Sequence, residues 1–538
     1  MKKSFSLLLS MLLVLSIFLV ACGDKESATT EEQVLNININ SEPPSLNPGL
    51  ASDSTSGSVL NQIFEGLTTP NAEGGVDLAA AEDVVISDDQ LTYTFKLRDA
   101  KWSNGDAVTA ADFEYAWKWA LDPVNASSYS YQLYYIKGAQ SYNEGTGSVE
   151  DVAVKAIDDK TLEVTLNNPT PYFLELTAFY TYYPVNSKIA AENPEWAFNS
   201  GESYVSNGPF KLTTWNHSSD IVLEKNEHYW DVENVKLDTI NMAMINDPNT
   251  ELSMYDNGEL HWAGSPTGSL PTDSLKALEA NGTLNNQEYA GIYNYKFNTK
   301  AEPTNNENIR KALTLAIDRQ SLIDNVVLGY QKPAFGIVPP SLYGDAAGED
   351  YGYFADNDVE KAKEYLAAGL QELGYASASE LPTIKISYNT QESHAKIAQA
   401  IQAMWTDNLG INVELSNSEW AVYLEEVQAG NYQVARMGWS ADFNDPINFL
   451  EMYYSADGGN NDTGWESAEY QALLDQAATE TDAEKRKDLL MQAEAVFMDD
   501  MAVAPIYFNT MNWLKAENLK GEILTPLSSI YFKTAYFE

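Results

Sequence analysis

The chain has 538 residues, 78 of them acidic and 32 basic, for a formal net charge of -46 at pH 7. Such a surface repels phosphate backbones and anionic headgroups, which excludes nucleic acid as a partner. With 44% hydrophobic residues, and with 12 Trp, 32 Tyr and 18 Phe, the chain can bury large cores, which excludes a disordered protein. Its length suggests about three or four domains of ordinary size.

The first element is an export signal. Lys2 and Lys3 form a basic start, and Phe5 to Ala21 is an apolar run of 17 residues. That run is shorter than the roughly 20 residues a spanning helix needs. It ends at Leu19-Val20-Ala21-Cys22-Gly23, with a small residue before the cut. Cys22 is the only cysteine, so no disulfide forms within the chain. The stretch resembles the lipobox of bacterial lipoproteins. That resemblance implies a signal segment 1–22 ending at the cysteine, cleavage just before Cys22 so that it becomes the new N-terminus, lipidation of Cys22, and a place on the extracytoplasmic face of the cell membrane. Two or three acyl chains, at about 0.8 kcal/mol per buried CH2, anchor a protein stably. Residues 23–33 (GDKESATTEEQ) carry no apolar periodicity and read as a flexible tether.

Patterned sequence begins at Val34. Val34 to Ile39 alternates apolar and polar residues, as a strand with one buried face does, and Leu91 to Leu97 repeats the pattern before the turn signal Asn104-Gly105. Val152 to Ile157 and Thr161 to Leu166 flank Asp158-Asp159 as a hairpin. Ile309, Leu313 and Ile317 share a helical face. Ser393 is placed to cap a helix carrying Ile397, Ile401 and Trp405 and ending near Gly410; Ile411 to Leu415 follows as a strand. Thr481 and Glu484 have capping-box spacing ahead of a helix with Leu489, Leu490, Ala493, Val496 and Phe497. Helices and strands intermingle throughout, which is a mixed α/β pattern.

The usual catalytic constellations are absent. The histidines are His217, His228, His261 and His394, and none belongs to an HExxH pair. There is no GxSxG elbow, no GxxxxGK[ST] loop and no GxGxxG. Asp457 to Asp462 (DGGNND) lacks EF-hand spacing and is expected to be a surface turn. The chain is therefore not expected to be an enzyme or to hold a cofactor or metal.

A stretch from Leu91, LTYTFKLRDAKWSNGDAVTAADFEYAWKWALDP, carries a family resemblance. Phe64-Glu65-Gly66-Leu67 precedes it; Ala156 to Val164 and Ser206-Asn207-Gly208-Pro209-Phe210 follow, then Ile309 to Leu313, Arg436 to Pro446 and Ala504-Pro505-Ile506-Tyr507. Together these resemble the extracellular solute-binding proteins of ABC peptide permeases, over essentially Val34 to Glu538. The resemblance implies an α/β, two-lobe periplasmic-binding-protein-like fold with an additional small inserted domain and a ligand cleft between the lobes. The first lobe would comprise 34–64, 189–293 and 510–538, the inserted domain 65–188, and the second lobe 294–509.

It also implies a monomeric binder that captures oligopeptides and delivers them to the transmembrane subunits of an ABC importer, held to the membrane by its lipid anchor. Backbone pairing as an added strand would give affinity without reading side chains. By the same resemblance Asp442 takes the peptide's amino end, and Arg436 and His394 its carboxylate. Ser54, Tyr131, Asn207, Trp420, Gly438, Trp439, Ser440 and Tyr507 contact backbone or wall pockets, with Tyr293 and Tyr295 as weaker candidates. Val427, Val327 and Ser52 stand where enteric oligopeptide binders carry charged residues, which leaves peptide length open. A pheromone, murein-peptide or nickel-chelate binder on the same fold is the alternative, and a surface hydrolase or adhesin a more distant one.

Overall fold

The computed structural model describes residues 33–72, 75–344 and 352–538. Cys22, and the tether up to residue 32, lie outside the described residues. The chain enters through β1 (Val34–Asn38), which buries Leu35 and Ile37 on one face. Helix α1 (Ser54–Ile63) starts where Asp53 accepts from the amides of Thr55 and Ser56.

The inserted domain follows. Strands β2 (Ala81–Ile86) and β3 (Thr92–Leu97), helix α2 (Ala110–Leu121), and strands β4 (Val154–Asp158) and β5 (Thr161–Thr165) make an antiparallel sheet in the order β2-β3-β5-β4 with α2 against it. The expected hairpin is the β4–β5 pair. Asp112, near the end of the family-like stretch, is buried among donors from three places. It accepts from Thr109 N at 2.9 Å, from Ser187 N at 3.0 Å and Ser187 Oγ at 2.7 Å, and from Trp102 Nε1 at 3.3 Å. It thus fastens the start of α2 to the chain leaving the inserted domain.

Strands β6 (Phe210–Asn216), β7 (Asp220–Lys225) and β8 (Thr239–Ala243) return to the first lobe, and β8 pairs parallel with β1 in the order β1-β8-β7-β6. The second lobe is built on a larger sheet. Its strands are β9 (Trp262–Gly264), β10 (Asn285–Phe297), β11 (Ile384–Asn389), β12 (Val413–Ser418), β13 (Val434–Ser440) and β14 (Val503–Lys515), in the order β9-β14-β10-β13-β11-β12, with Lys332–Pro333 added beside β14. Helices α3 (Glu307–Leu315), α4 (Glu392–Leu409) and α5 (Trp420–Gln428) belong to the same half, and α6 (Ala483–Asp500) precedes β14 in the chain. β10 and β14 run antiparallel and continue from one lobe into the other; their pairing shifts between Glu288 and Ile292 and again between Tyr293 and Asn294.

One buried cluster centred on Phe297, Ile386, Ile401 and Trp405 fills the second lobe. Residues 441–498 do not join it. Phe443, Leu450, Phe497 and their neighbours belong to the cluster of the first lobe and inserted domain, and Phe443 stacks on Tyr172 with ring centroids 4.7 Å apart.

Three local expectations shift. α4 begins at Glu392 after Gln391, so Ser393 lies inside the helix and its hydroxyl donates back to Gln391 Oε1 at 3.3 Å. α6 is capped by Asp482, which accepts from Lys485 N at 3.1 Å, so Thr481 stands one residue too early. The expected surface turn at Asp457 to Asp462 folds inward. Asn460 and Asn461 are buried and Asp462 pairs with Lys296, because Lys296 on β10 needs a counter-charge.

Candidate functional site

On one side β13 is paired along its length by β10, from Val434 opposite Phe297 to Ser440 opposite Gly291. On the other side β11 pairs only with Val434 and Ala435. Beyond Ala435 that edge borders a cavity of about 310 Å3, lined by Arg436 to Asp442 from the second lobe. The facing walls are Asp53, Ser54 and Ser528 to Tyr531 from the first lobe, and Tyr129 and Glu175 to Tyr180 in part from the inserted domain. A strand edge with free backbone groups is a site for an added strand.

Asp442 sits just past β13. Gln132 Nε2 donates to its Oδ2 at 2.7 Å, Asn448 Nδ2 to Oδ2 at 3.2 Å, and Tyr129 Oη to Oδ1 at 3.4 Å. The amide of Asp442 donates to Asn448 Oδ1 at 3.0 Å, and Trp439 Nε1 to the same oxygen at 2.9 Å. All these partners are neutral. Burial pushes the Asp442 carboxyl up to about 7, and the donors only partly offset it.

Arg436 lies at the other end of the open edge. Its guanidinium lies over the Tyr293 ring, 4.6 Å from the centroid, and Nη1 donates to Asn389 Oδ1 at 3.3 Å. Its Nε is buried and has no acceptor among the described residues. No carboxylate faces it in the ion pairs of the described residues. The strand therefore carries an uncompensated cation near one end and an uncompensated carboxylate just beyond the other. An orphaned buried donor of this kind is expensive unless a further group satisfies it.

His394 departs from the expected cation. It is buried on α4, its Nδ1 is 3.2 Å from Tyr293 Oη, and burial together with Arg436 holds it well below the usual histidine range. It does not line the cavity, and the tyrosine its ring contacts, Tyr293, is the one over which Arg436 lies. Tyr507 stacks on Tyr293 at 4.8 Å behind the same cation, and Tyr295 is fully buried behind it.

Ser54, Trp420, Gly438, Trp439 and Ser440 line the cavity as expected. Two other expected residues do not. Asn207 is buried and spends both ends of its amide on the backbone of Glu65, at 2.8 and 3.0 Å. Tyr131 stands behind Tyr129, with ring centroids 5.8 Å apart, and accepts from Asn460 Nδ2 at 3.3 Å. The lining also includes Asp53, Tyr180, Tyr289 and the Lys296–Asp462 pair, which sequence reading did not single out. An N-cap signal at Asp53-Ser54-Thr55 was available for the first of these. Tyr289 is thrust inward by the pairing shift in β10, which no sequence pattern marks.

Residues 75–461 match the family model described as "Bacterial extracellular solute-binding proteins, family 5 Middle". The chain belongs to this family. The oligopeptide-binding protein OppA of Bacillus subtilis is 56% identical to this family 5 chain over 551 residues, covering 100% of both. Listeria monocytogenes OppA bound to peptide has a TM-score of 0.86 at 33% identity, over 94% of this chain and 99% of that one. The murein tripeptide binding protein MppA of Escherichia coli gives 0.88 at 31% identity, over 94% and 99%. Against an unliganded open form of MppA the TM-score is 0.62, at 31% identity and 94% and 98% coverage. The two lobes here are thus not splayed as in that open form. Gln132 reaching Asp442, and Trp420 reaching Asp53 at 3.2 Å, describe a closed cleft.

Proposed function

We propose that this chain captures oligopeptides as an extended strand against β13 and passes them to an ABC importer, while a lipid on Cys22 holds it at the extracytoplasmic face of the membrane. The observation that carries this reading is the pair of uncompensated charges, Asp442 and Arg436, bracketing an unpaired strand edge inside the cavity. A peptide with free termini supplies an ammonium for one, a carboxylate for the other and backbone amides for the edge between them. Guest contacts with both lobes favour the closed form, and it is this form that docks on the permease. The relatives that share the fold bear the names of binding proteins, and nothing in the cavity resembles a nucleophile with its base.

Calorimetry with free and N-acetylated forms of the same short peptides tests the reading. Acetylation, or Asp442→Asn, is expected to weaken binding by about a hundredfold or more, since one member of a buried ion pair is removed. Equal affinity for both forms removes Asp442 from the role. For the anchor, Cys22→Ala is expected to move the exported protein from the detergent phase to the aqueous phase in a partition assay.

A further inference from the structure

Arg436 and Asp442 are not the only uncompensated charges on the cavity wall. Lys296 and Asp462 cancel each other at 2.6 Å, with side chains 4% and 6% exposed. Asp53, 8% exposed, also lines the cavity, and it takes part in no ion pair among the described residues. Its partners are neutral: the amides of Thr55 and Ser56 and Trp420 Nε1 all donate to Oδ1, while Oδ2 accepts only Ser56 Oγ at 2.6 Å. Burial raises the carboxyl. A guest with free termini neutralises Asp442 and Arg436 and leaves Asp53 unmatched.

What surrounds Asp53 narrows the missing group. Trp420 holds its indole against the carboxylate from across the cleft, and Leu424, one helical turn along α5, lines the same cavity. An apolar wall for an aliphatic stem, an aromatic ring and a carboxylate with a spare lone pair are the elements that receive a lysine or arginine side chain. Glu175, more open to solvent on the wall, adds charge of the same sign.

We infer that the cleft selects peptides bearing a basic side chain, which Asp53 and Trp420 receive; this rests on the peptide reading above. Asp53 also caps α1, so the test uses Asp53→Asn, which keeps the cap and the acceptor for Trp420 while removing the charge. Trialanine, its three single-lysine variants and the three glutamine counterparts are titrated calorimetrically into both proteins. In the native protein one position is expected to favour lysine over glutamine by about tenfold or more, the scale of one charge-assisted hydrogen bond. In Asp53→Asn that preference falls below about twofold, read as the ratio of each lysine peptide to its glutamine counterpart so that any change common to all peptides cancels. Equal binding of lysine and glutamine peptides at every position overturns the inference, as does a preference that survives in Asp53→Asn. If none of the seven peptides binds, the peptide reading itself falls and takes this inference with it.

Discussion

Gln132 donates to Asp442 at 2.7 Å, joining the segment after α2 to the residue just past β13 across 310 positions of sequence. The carboxylate proposed to receive the guest's amino end is therefore also held by the residue that packs against it. Its site is dry enough to hold the carboxyl near 7.

Proton release on binding follows. Below about pH 7 the free Asp442 is largely protonated, whereas an ammonium guest needs the carboxylate, so binding expels a proton. Affinity is expected to fall about tenfold per pH unit below 7. Calorimetry in buffers of different ionisation enthalpy reads the released proton directly, and a flat profile between about pH 5.5 and 7.5 contradicts the assignment.

Gln132→Met keeps the volume of a fully buried side chain but removes a donor from Asp442. The loss of a hydrogen bond to a charged acceptor, about 1.5–3 kcal/mol, is expected to weaken peptide binding by roughly 10- to 100-fold. Unchanged affinity would show that Asp442 is held by Asn448 and Tyr129 alone.

Trp420→Phe keeps a ring on the wall but cuts the hydrogen bond to Asp53 that spans the cleft. The closed form then loses about 1.5–3 kcal/mol of support. Small-angle scattering of the ligand-free protein should show a larger radius of gyration, which returns to the native value on adding peptide. A radius identical to the native one without ligand speaks against a latch.

Glu494 on α6 is fully buried against Ile337, Val338, Tyr343 and Tyr353. It accepts from the amides of Ile337 at 2.7 Å and Val338 at 2.9 Å and from Tyr343 Oη at 3.0 Å, yet burial drives it to about 7. A raised carboxyl stabilises the fold fully below its unfolded value of 4.5, and that stabilisation fades as pH climbs through 7. Glu451, which burial pushes to about 8 against the hydrogen bond from Tyr135, acts in the same direction. The urea midpoint is expected to drop between about pH 5 and 8.5, with roughly 3 kcal/mol at most from Glu494. Glu494→Gln should flatten that slope; a midpoint that rises with pH refutes it.

Sequence patterns located the β4–β5 hairpin, the faces of α3 and α4, and the segment that brings Asp442, Gly438 and Trp439 to the cavity, because each rests on local periodicity or a contiguous motif. They misplaced what depends on distant partners. Asn207 is consumed by Glu65, and His394 is held well below the usual histidine range by its burial and by the nearby Arg436. Asp53 escaped because a capping signal says nothing about which lobe will close over it. Tyr289 depends on a shift of register that arises only when β10 meets β14.

Asp112 has a bearing on how such chains are to be compared. The most recognisable stretch of the molecule contains a rivet between a helix start and a departing loop, outside the lining of the cavity. Proteins can keep that rivet while exchanging cargo, so likeness there certifies the chassis alone. On the reading proposed above, what is carried is set by the few positions along the open edge of β13 and at the head of α1.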